Sequence, residues 1–198
     1  QAHELPQNLI DALVATEDVR FYQHSGIDLK RSISAIVFLG KRGGGSTITQ
    51  QLAKNLFHDI PQSKLGRIGQ KIKELVLSVM LERTYTKEEI LTMYLNTVDF
   101  VHNSYGIKSA AKTYFNKEVE NLSIEESAVL VGMLKAPSKY NPISNMDNSV
   151  QRRNVVLYQL HNYDYISKEL KDSLQALPIA TDYKATNHIN GLAPHFRE

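Results

Sequence analysis

Apolar positions recur at three- and four-residue intervals along almost the whole chain, the rhythm of helices that bury one face. Leu9, Leu13 and Val14 share a face of a first helix. Asp28 stands where it can cap a second, carrying Ile33, Ile36 and Val37 as far as Gly40, and Lys41 to Gly45 break it. Thr47 and Gln50, in capping-box spacing, open a third, and Pro61 closes the segment that follows. The longest predicted helix carries Ile68, Ile72, Leu75, Val76 and Val79 on one stripe and Lys64, Arg67, Lys71, Glu74 and Ser78 on another. Thr86 with Glu89, and Ser123 with Glu126, are two further capping boxes, opening helices with Ile90, Leu91 and Leu95 and with Ala128 to Leu134. Ser149 is read as the cap of another helix, and 181–193 as a polar loop. Alternating strand patterns, internal repeats and low-complexity tracts are missing, so the fold class expected is all-α.

Composition narrows this to one unit. With 198 residues and 42% hydrophobic content the chain can bury one good core, and a single domain over 1–198 is expected. The net charge of +2 hides an asymmetry: residues 30 to 73 hold nine basic side chains against one acid, Asp59. A stretch of +8 points to an anionic partner, with a solvated face as the plainer alternative. The sequence has no cysteine, which removes disulfides and thiolate metal sites. No apolar run reaches membrane-spanning length and no signal peptide is visible at Gln1; an anchor, if the protein has one, is absent from this sequence.

The chemistry therefore falls to carboxylates and cations. HExxH, a Walker lysine loop and GxSxG are all missing. Ser109 to Lys112 matches an SxxK motif but lacks its partners and reads as an alanine-rich helix face; Ser123 of the sequon Asn121-Leu122-Ser123 reads as a helix cap. His24 reads as structural. Gly44 to Leu52 joins backbone-opening glycines to hydroxyls and amides that can cap a helix and grip a polar ligand, with Lys54 close behind. Glu17 and Asp18 fall where the first helix should end, a poor place for two acids beside a negative helix terminus, readable either as a solvated pair or as catalytic. Glu74, beside Lys71 and Lys73, is either an ordinary intrahelical pair or a group that orients a cation or shares a proton-transfer task.

Together these segments resemble peptidoglycan glycosyltransferases (glycosyltransferase family 51), found in class A penicillin-binding proteins and monofunctional relatives. Ala15 to Asp28, Gly44 to Asn55, and Lys71-Ile72-Lys73-Glu74 through Leu81-Glu82 look like the first three motifs, in order and spacing. Lys87 to Leu91 with Tyr94-Leu95-Asn96, Tyr105-Gly106-Ile107, Ala110-Ala111 with Tyr114-Phe115, and Ala136 to Pro142 with Arg152-Arg153 continue it. The likeness covers residues 8 to about 175, and five ordered motifs by chance are negligible.

The resemblance implies a lysozyme-like helical fold, a large lobe with a small membrane-facing jaw lobe at roughly 29–70. It implies polymerisation of lipid II into β-1,4-linked glycan strands, with inversion at the donor MurNAc anomeric carbon and release of undecaprenyl pyrophosphate. The catalytic residues it implies are Glu17, as base, and Glu74. It gives substrate binding to Ser46, Thr47, Gln50, Gln51, Lys54, Lys64, Arg67, Lys71 and Lys73, joined by Asp18 and Asn55, which with Glu82 also hold the motifs together by hydrogen bonding. No organic cofactor is expected; a divalent cation, Mg2+ or Mn2+, fits carboxylate and phosphate oxygens, and a resident metal site stays unknown. The partners implied are lipid II, the growing glycan strand, a membrane surface met by the jaw and a transpeptidase domain, with the start of an interdomain linker at 181–198; nucleic acid is not among them. The location implied is the outer face of the bacterial cytoplasmic membrane, with an N-terminal transmembrane anchor beyond this chain.

Three departures stand out. Gln70 replaces an arginine usual in the family, so Arg67 is expected to supply that charge; Asp99 and Val101 flank Phe100 where an aromatic and then a glycine are usual; and Tyr163-Asp164 occupy a position where glycine is common. Ile33 to Leu39, flanked by Lys30, Arg31, Lys41 and Arg42, is read as either an interfacial strip or a core helix. Two rival functions share these features: a lysozyme-type hydrolase, and a non-catalytic helical module binding anionic membrane or nucleic acid.

Overall fold

The computed structural model describes residues 5–28, 45–57 and 64–184. Eight α-helices make up this part: α1 Gln7–Glu17, α2 Ile48–Leu56, α3 Lys64–Thr84, α4 Lys87–Thr97, α5 Ile107–Phe115, α6 Ile124–Met133, α7 Met146–Asn162 and α8 Lys168–Ala176. No named strand occurs among the described residues; a single bridge pairs Asp99 with Tyr105. The all-α expectation holds. The helix expected from Asp28 to Gly40, the strip Ile33 to Leu39 with its basic flanks, Pro61 and the residues after 184 lie outside the described part, as does most of the jaw lobe.

The start signals work as local physics demands. Thr86 and Ser123 each accept from the backbone three residues on, with Glu89 and Glu126 reaching back to complete both capping boxes. Thr47 caps α2, accepting from Gln50 N. Ser149 does not cap: α7 begins at Met146, and Ser149 is buried inside it with no side-chain partner, because Asn145 leaves the helical conformation one turn earlier. Ser167, not anticipated, caps α8.

The core centres on α6, whose residues Ser127 to Met133 are all buried, so this helix is apolar around its circumference rather than on one stripe. Helices α1 and α7 pack against it and each other, and α8 packs on α7. Helix α2 joins α3 and α4. Gly132 lets α7 come close: a Cβ there would lie 3.1 Å from Arg152 Cγ.

Helix α3 departs from the amphipathic expectation. An apolar stripe ordinarily faces a core. Here Ile68, Ile72, Val76 and Met80 are more than half exposed, Leu75 and Val79 half-buried, and Glu74 and Ser78 buried against α2. Of the polar stripe, Glu74 and Ser78 face inward, while Arg67 and Lys71 are exposed.

Glycine-type backbone appears where the family pattern was broken. Val101, His102 and Asn103 all have positive φ (59°, 50° and 58°), as does Asp164 (61°). The chain keeps the conformation that glycine takes freely and bears the steric cost in other residues, highest at β-branched Val101.

Candidate active site

The end of α1, the first turn of α2 and the inward face of α3 meet at one place, and most of the sequence-predicted residues lie there. Glu17 is the last residue of α1 and Asp18 its C-cap. The Asp18 carboxylate is fully buried: Oδ2 accepts from Ile48 N and lies 3.0 Å from His24 Nε2, which is thereby the protonated ring nitrogen. Asp18 thus docks the start of α2 onto the end of α1, and His24 is structural, as read from the sequence.

Gly26 completes the junction. At φ 88° its carbonyl accepts from Thr47 Oγ1 at 2.7 Å and faces Gln50 Nε2 at 3.5 Å, while a Cβ would stand 2.7 Å from Ser78 O of α3. Only glycine satisfies both the backbone angle and the contact.

Two successive glutamines then diverge. Gln51 Nε2 donates to Glu17 Oε2 at 3.1 Å, and Gln51 Oε1 accepts from the Tyr94 hydroxyl at 2.9 Å. Gln50 Oε1 faces Lys71 Nζ at 3.4 Å; the same ammonium donates to Ser46 Oγ at 3.0 Å and Glu74 Oε2 at 2.9 Å. The first turn of α2 therefore links Glu17 on one side and the Lys71–Glu74 pair on the other.

Charge around Glu17 offsets its poor position at a helix C-terminus. Arg152 NH2 lies 3.8 Å from Glu17 Oε1, both side chains mostly buried, while Arg152 Nε donates to Gly132 O at 3.4 Å. Burial, with the Glu17 carboxylate adding to it, drives the Tyr94 phenol well above its usual range, so it remains a neutral donor.

The remaining residues divide. Asn55 Nδ2 donates to Thr97 Oγ1 at 3.3 Å, tying α2 to α4; Glu82 accepts from Thr49 Oγ1 at 2.6 Å and from Lys87 Nζ at 2.8 Å. These are the motif-holding bonds anticipated. Lys54, one turn beyond Gln51, and Arg67, one turn before Lys71, are exposed. Lys73 is exposed too and sits about 160° around α3 from Lys71, so these two lysines leave the helix on different sides. The Lys64 side chain lies outside the described part. Gln70 takes no share of the cation cluster; its amide donates to Phe57 O at 3.5 Å.

Tyr94 and Arg152 fall within the family motifs, but the sequence assigns a role to neither. Tyr94 repeats with Ile90 and Leu91 as one more core residue, and Arg152 sits in a basic doublet beside Arg153; neither spacing reveals a contact made between distant helices. Among the described residues no cluster of three or more His, Asp or Glu is placed to hold a metal ion, and the Glu74 carboxylate is paired with Lys71. These residues do not by themselves build a metal site.

Comparison with known proteins agrees with this arrangement. Residues 1–161 match the family described as Transglycosylase, and the chain belongs to that family. Penicillin-binding protein 1A of Escherichia coli (strain K12) is 41% identical over 199 residues, covering 98% of this chain and 23% of that protein. Penicillin-binding protein 1F of Bacillus subtilis (strain 168) is 45% identical over 170 residues, 83% of this chain and again 23% of its own length. The crystal structure of penicillin-binding protein 1A from Haemophilus influenzae aligns with a TM-score of 0.55 at 28% identity, covering 92% of this chain and 18% of that one. The chain thus spans about a fifth to a quarter of the length of these relatives, and its all-α fold matches that of the solved structure.

Proposed function

We propose that the chain is a peptidoglycan glycosyltransferase in which Glu17 deprotonates the 4-hydroxyl of the GlcNAc of lipid II while that oxygen attacks the anomeric carbon of the donor MurNAc. A sugar hydroxyl is a weak nucleophile until a base takes its proton in the transition state, and carboxylates perform that task in inverting sugar chemistry. The new C–O bond forms on the face opposite the leaving group, the bond to pyrophosphate breaks, and its electron pair leaves with undecaprenyl pyrophosphate. The β-1,4 linkage follows without a covalent enzyme intermediate, so the lack of cysteine or an activated serine is no obstacle.

The observation that carries this reading is the first turn of α2, which ties Glu17 through Gln51 and the Lys71–Glu74 pair through Gln50. Negative charge grows on the pyrophosphate as the bond opens, and fixed cations stabilise it more in the transition state than before. Lys71 is the best placed of them, with Arg67 a turn away on the same face, and Lys54, Lys64 and Lys73 are further candidates. Glu74 holds the Lys71 ammonium in line.

A membrane-bound lipid substrate implies work at a membrane surface, on the outer face of the cytoplasmic membrane and beside a transpeptidase domain in the longer protein. No described helix is long and apolar enough to cross a bilayer. The exposed row Ile68, Ile72, Val76 and Met80 supports interfacial contact, since a helix that shows an apolar face between basic side chains suits anionic lipid.

The test is incubation of wild type and Glu17→Gln with purified lipid II, and separately with preformed glycan strands. Polymer formed by wild type, and lost by about 10²- to 10⁴-fold in Glu17→Gln, supports the reading. Shortening of glycan strands points to a hydrolase, and unchanged polymer yield in the variant removes Glu17 as the base.

A further inference from the structure

The geometry points to Tyr94 as a positioning residue that holds the base through Gln51 and so selects which oxygen of Glu17 takes the proton. The inference rests on Glu17 being the base, as proposed above. The resemblance groups Gln51 with side chains that line the substrate site, but its two amide atoms are both committed elsewhere: Nε2 to Glu17 Oε2 at 3.1 Å and Oε1 to the Tyr94 hydroxyl at 2.9 Å.

The direction of this chain is set by chemistry. An ionised carboxylate only accepts, so the amide nitrogen must face Glu17; the amide oxygen then faces Tyr94, which must donate. Tyr94 is 2% exposed and lies within the hydrophobic core, so water cannot take over from it. Removing the hydroxyl leaves a carbonyl oxygen without a donor and frees the amide to rotate.

The consequence falls on Glu17. With Oε2 engaged by Gln51, the other oxygen, Oε1, accepts no hydrogen bond among the described residues and has the Arg152 guanidinium at 3.8 Å, beyond hydrogen-bonding reach. Oε1 is the oxygen left to receive the proton of the incoming hydroxyl. A carboxylate pinned at one oxygen presents the other in a fixed direction, and a proton-transfer step is sensitive to that direction.

The test is a double-mutant cycle of Tyr94→Phe and Gln51→Ala in the full-length protein, with kcat and KM measured on lipid II, folding checked by thermal melts, and Glu17→Gln run alongside. Tyr94→Phe is expected to lower kcat about tenfold, the rate equivalent of one hydrogen bond, with KM within about twofold of wild type. The double variant should match Gln51→Ala alone within about twofold, because the hydroxyl acts only through the amide. Unchanged kcat in Tyr94→Phe, or single effects that multiply in the double variant while Glu17→Gln is inactive, overturns the inference and leaves the proposed function standing. Retained activity in Glu17→Gln overturns both. Should Tyr94→Phe fail to fold, Gln51→Asn replaces it: one methylene shorter, it cannot reach both partners, and full kcat there overturns the inference equally.

Discussion

The two carboxylates of the site live in unlike surroundings. Glu17 stands on the buried side, where α1, α2, α4 and α7 converge and each neighbour, Gln51, Tyr94, Asp18 or Arg152, is itself tied by another bond. Glu74, itself the more buried of the two carboxylates, faces the open side, where Lys71 has nearly half its side chain in solvent and Arg67 and Lys73 are exposed. The difference matches two kinds of work. A base must present one oxygen in one direction, which demands rigid support, whereas the charge growing on a leaving group is met by cations, of which Lys71 is held in place by Glu74. Preorganisation is concentrated where direction matters.

The sharpest way to break this comparison is kinetic. Glu17→Gln should cost about 10²- to 10⁴-fold in turnover at any salt concentration. Lys71→Met should cost about tenfold or a little more, chiefly in kcat, and the gap from wild type should narrow as salt rises, because an exposed cation is screened. Equal losses with equal salt dependence would abolish the distinction between the sides.

Next in size is the joint between them. Gly26→Ala places a methyl 2.7 Å from the Ser78 carbonyl at a backbone angle that alanine resists, and should destabilise the protein by about 3 kcal/mol in chemical denaturation. A loss below about 1 kcal/mol would mean that the open side yields freely against the buried one.

A smaller effect lies in alkaline stability. Burial raises the Tyr94 and Tyr114 phenols above their ordinary value, so the folded chain keeps two protons that the unfolded chain releases above about pH 10. Their contribution is intact below that pH and is lost as pH climbs through the folded values. Melting temperature should therefore drop above about pH 10, less steeply in Tyr114→Phe than in wild type. The hydroxyl lost there donates to Phe100 O at 2.6 Å, so the variant starts about 1–2 kcal/mol less stable at neutral pH. Smallest is Ile72→Ser on the open face, which should change stability by less than about 0.5 kcal/mol while weakening binding to anionic vesicles.

What could be read from the sequence follows the range of the forces involved. Helix starts at Thr47, Thr86 and Ser123 were legible because a cap is a local bond within four residues, and Glu17 at the close of α1 was legible because a misplaced charge is a local conflict. The orientation of α3 was not: its apolar stripe obeys the period of a buried face, yet the helix turns Glu74 and Ser78 inward, since Gln50 of α2 offers Lys71, the partner of Glu74, polar company that no periodicity records. Ser149 misled for a related reason, being a cap-forming residue buried one turn inside its helix. Tyr94 and Arg152 act across 43 and 135 positions of sequence, where pattern carries no signal.

The missing side chain at residue 132 has a wider meaning. It leaves a window in the wall of the central helix, and the guanidinium from the neighbouring helix leans across that gap on its way to the acid. Filling the window with even one methyl group would press on the stem of that arginine. A position that a survey of the interior would count as mere filling therefore governs how closely a positive charge can approach the chemistry, and redesign of this interior for greater stability would have to leave that opening bare.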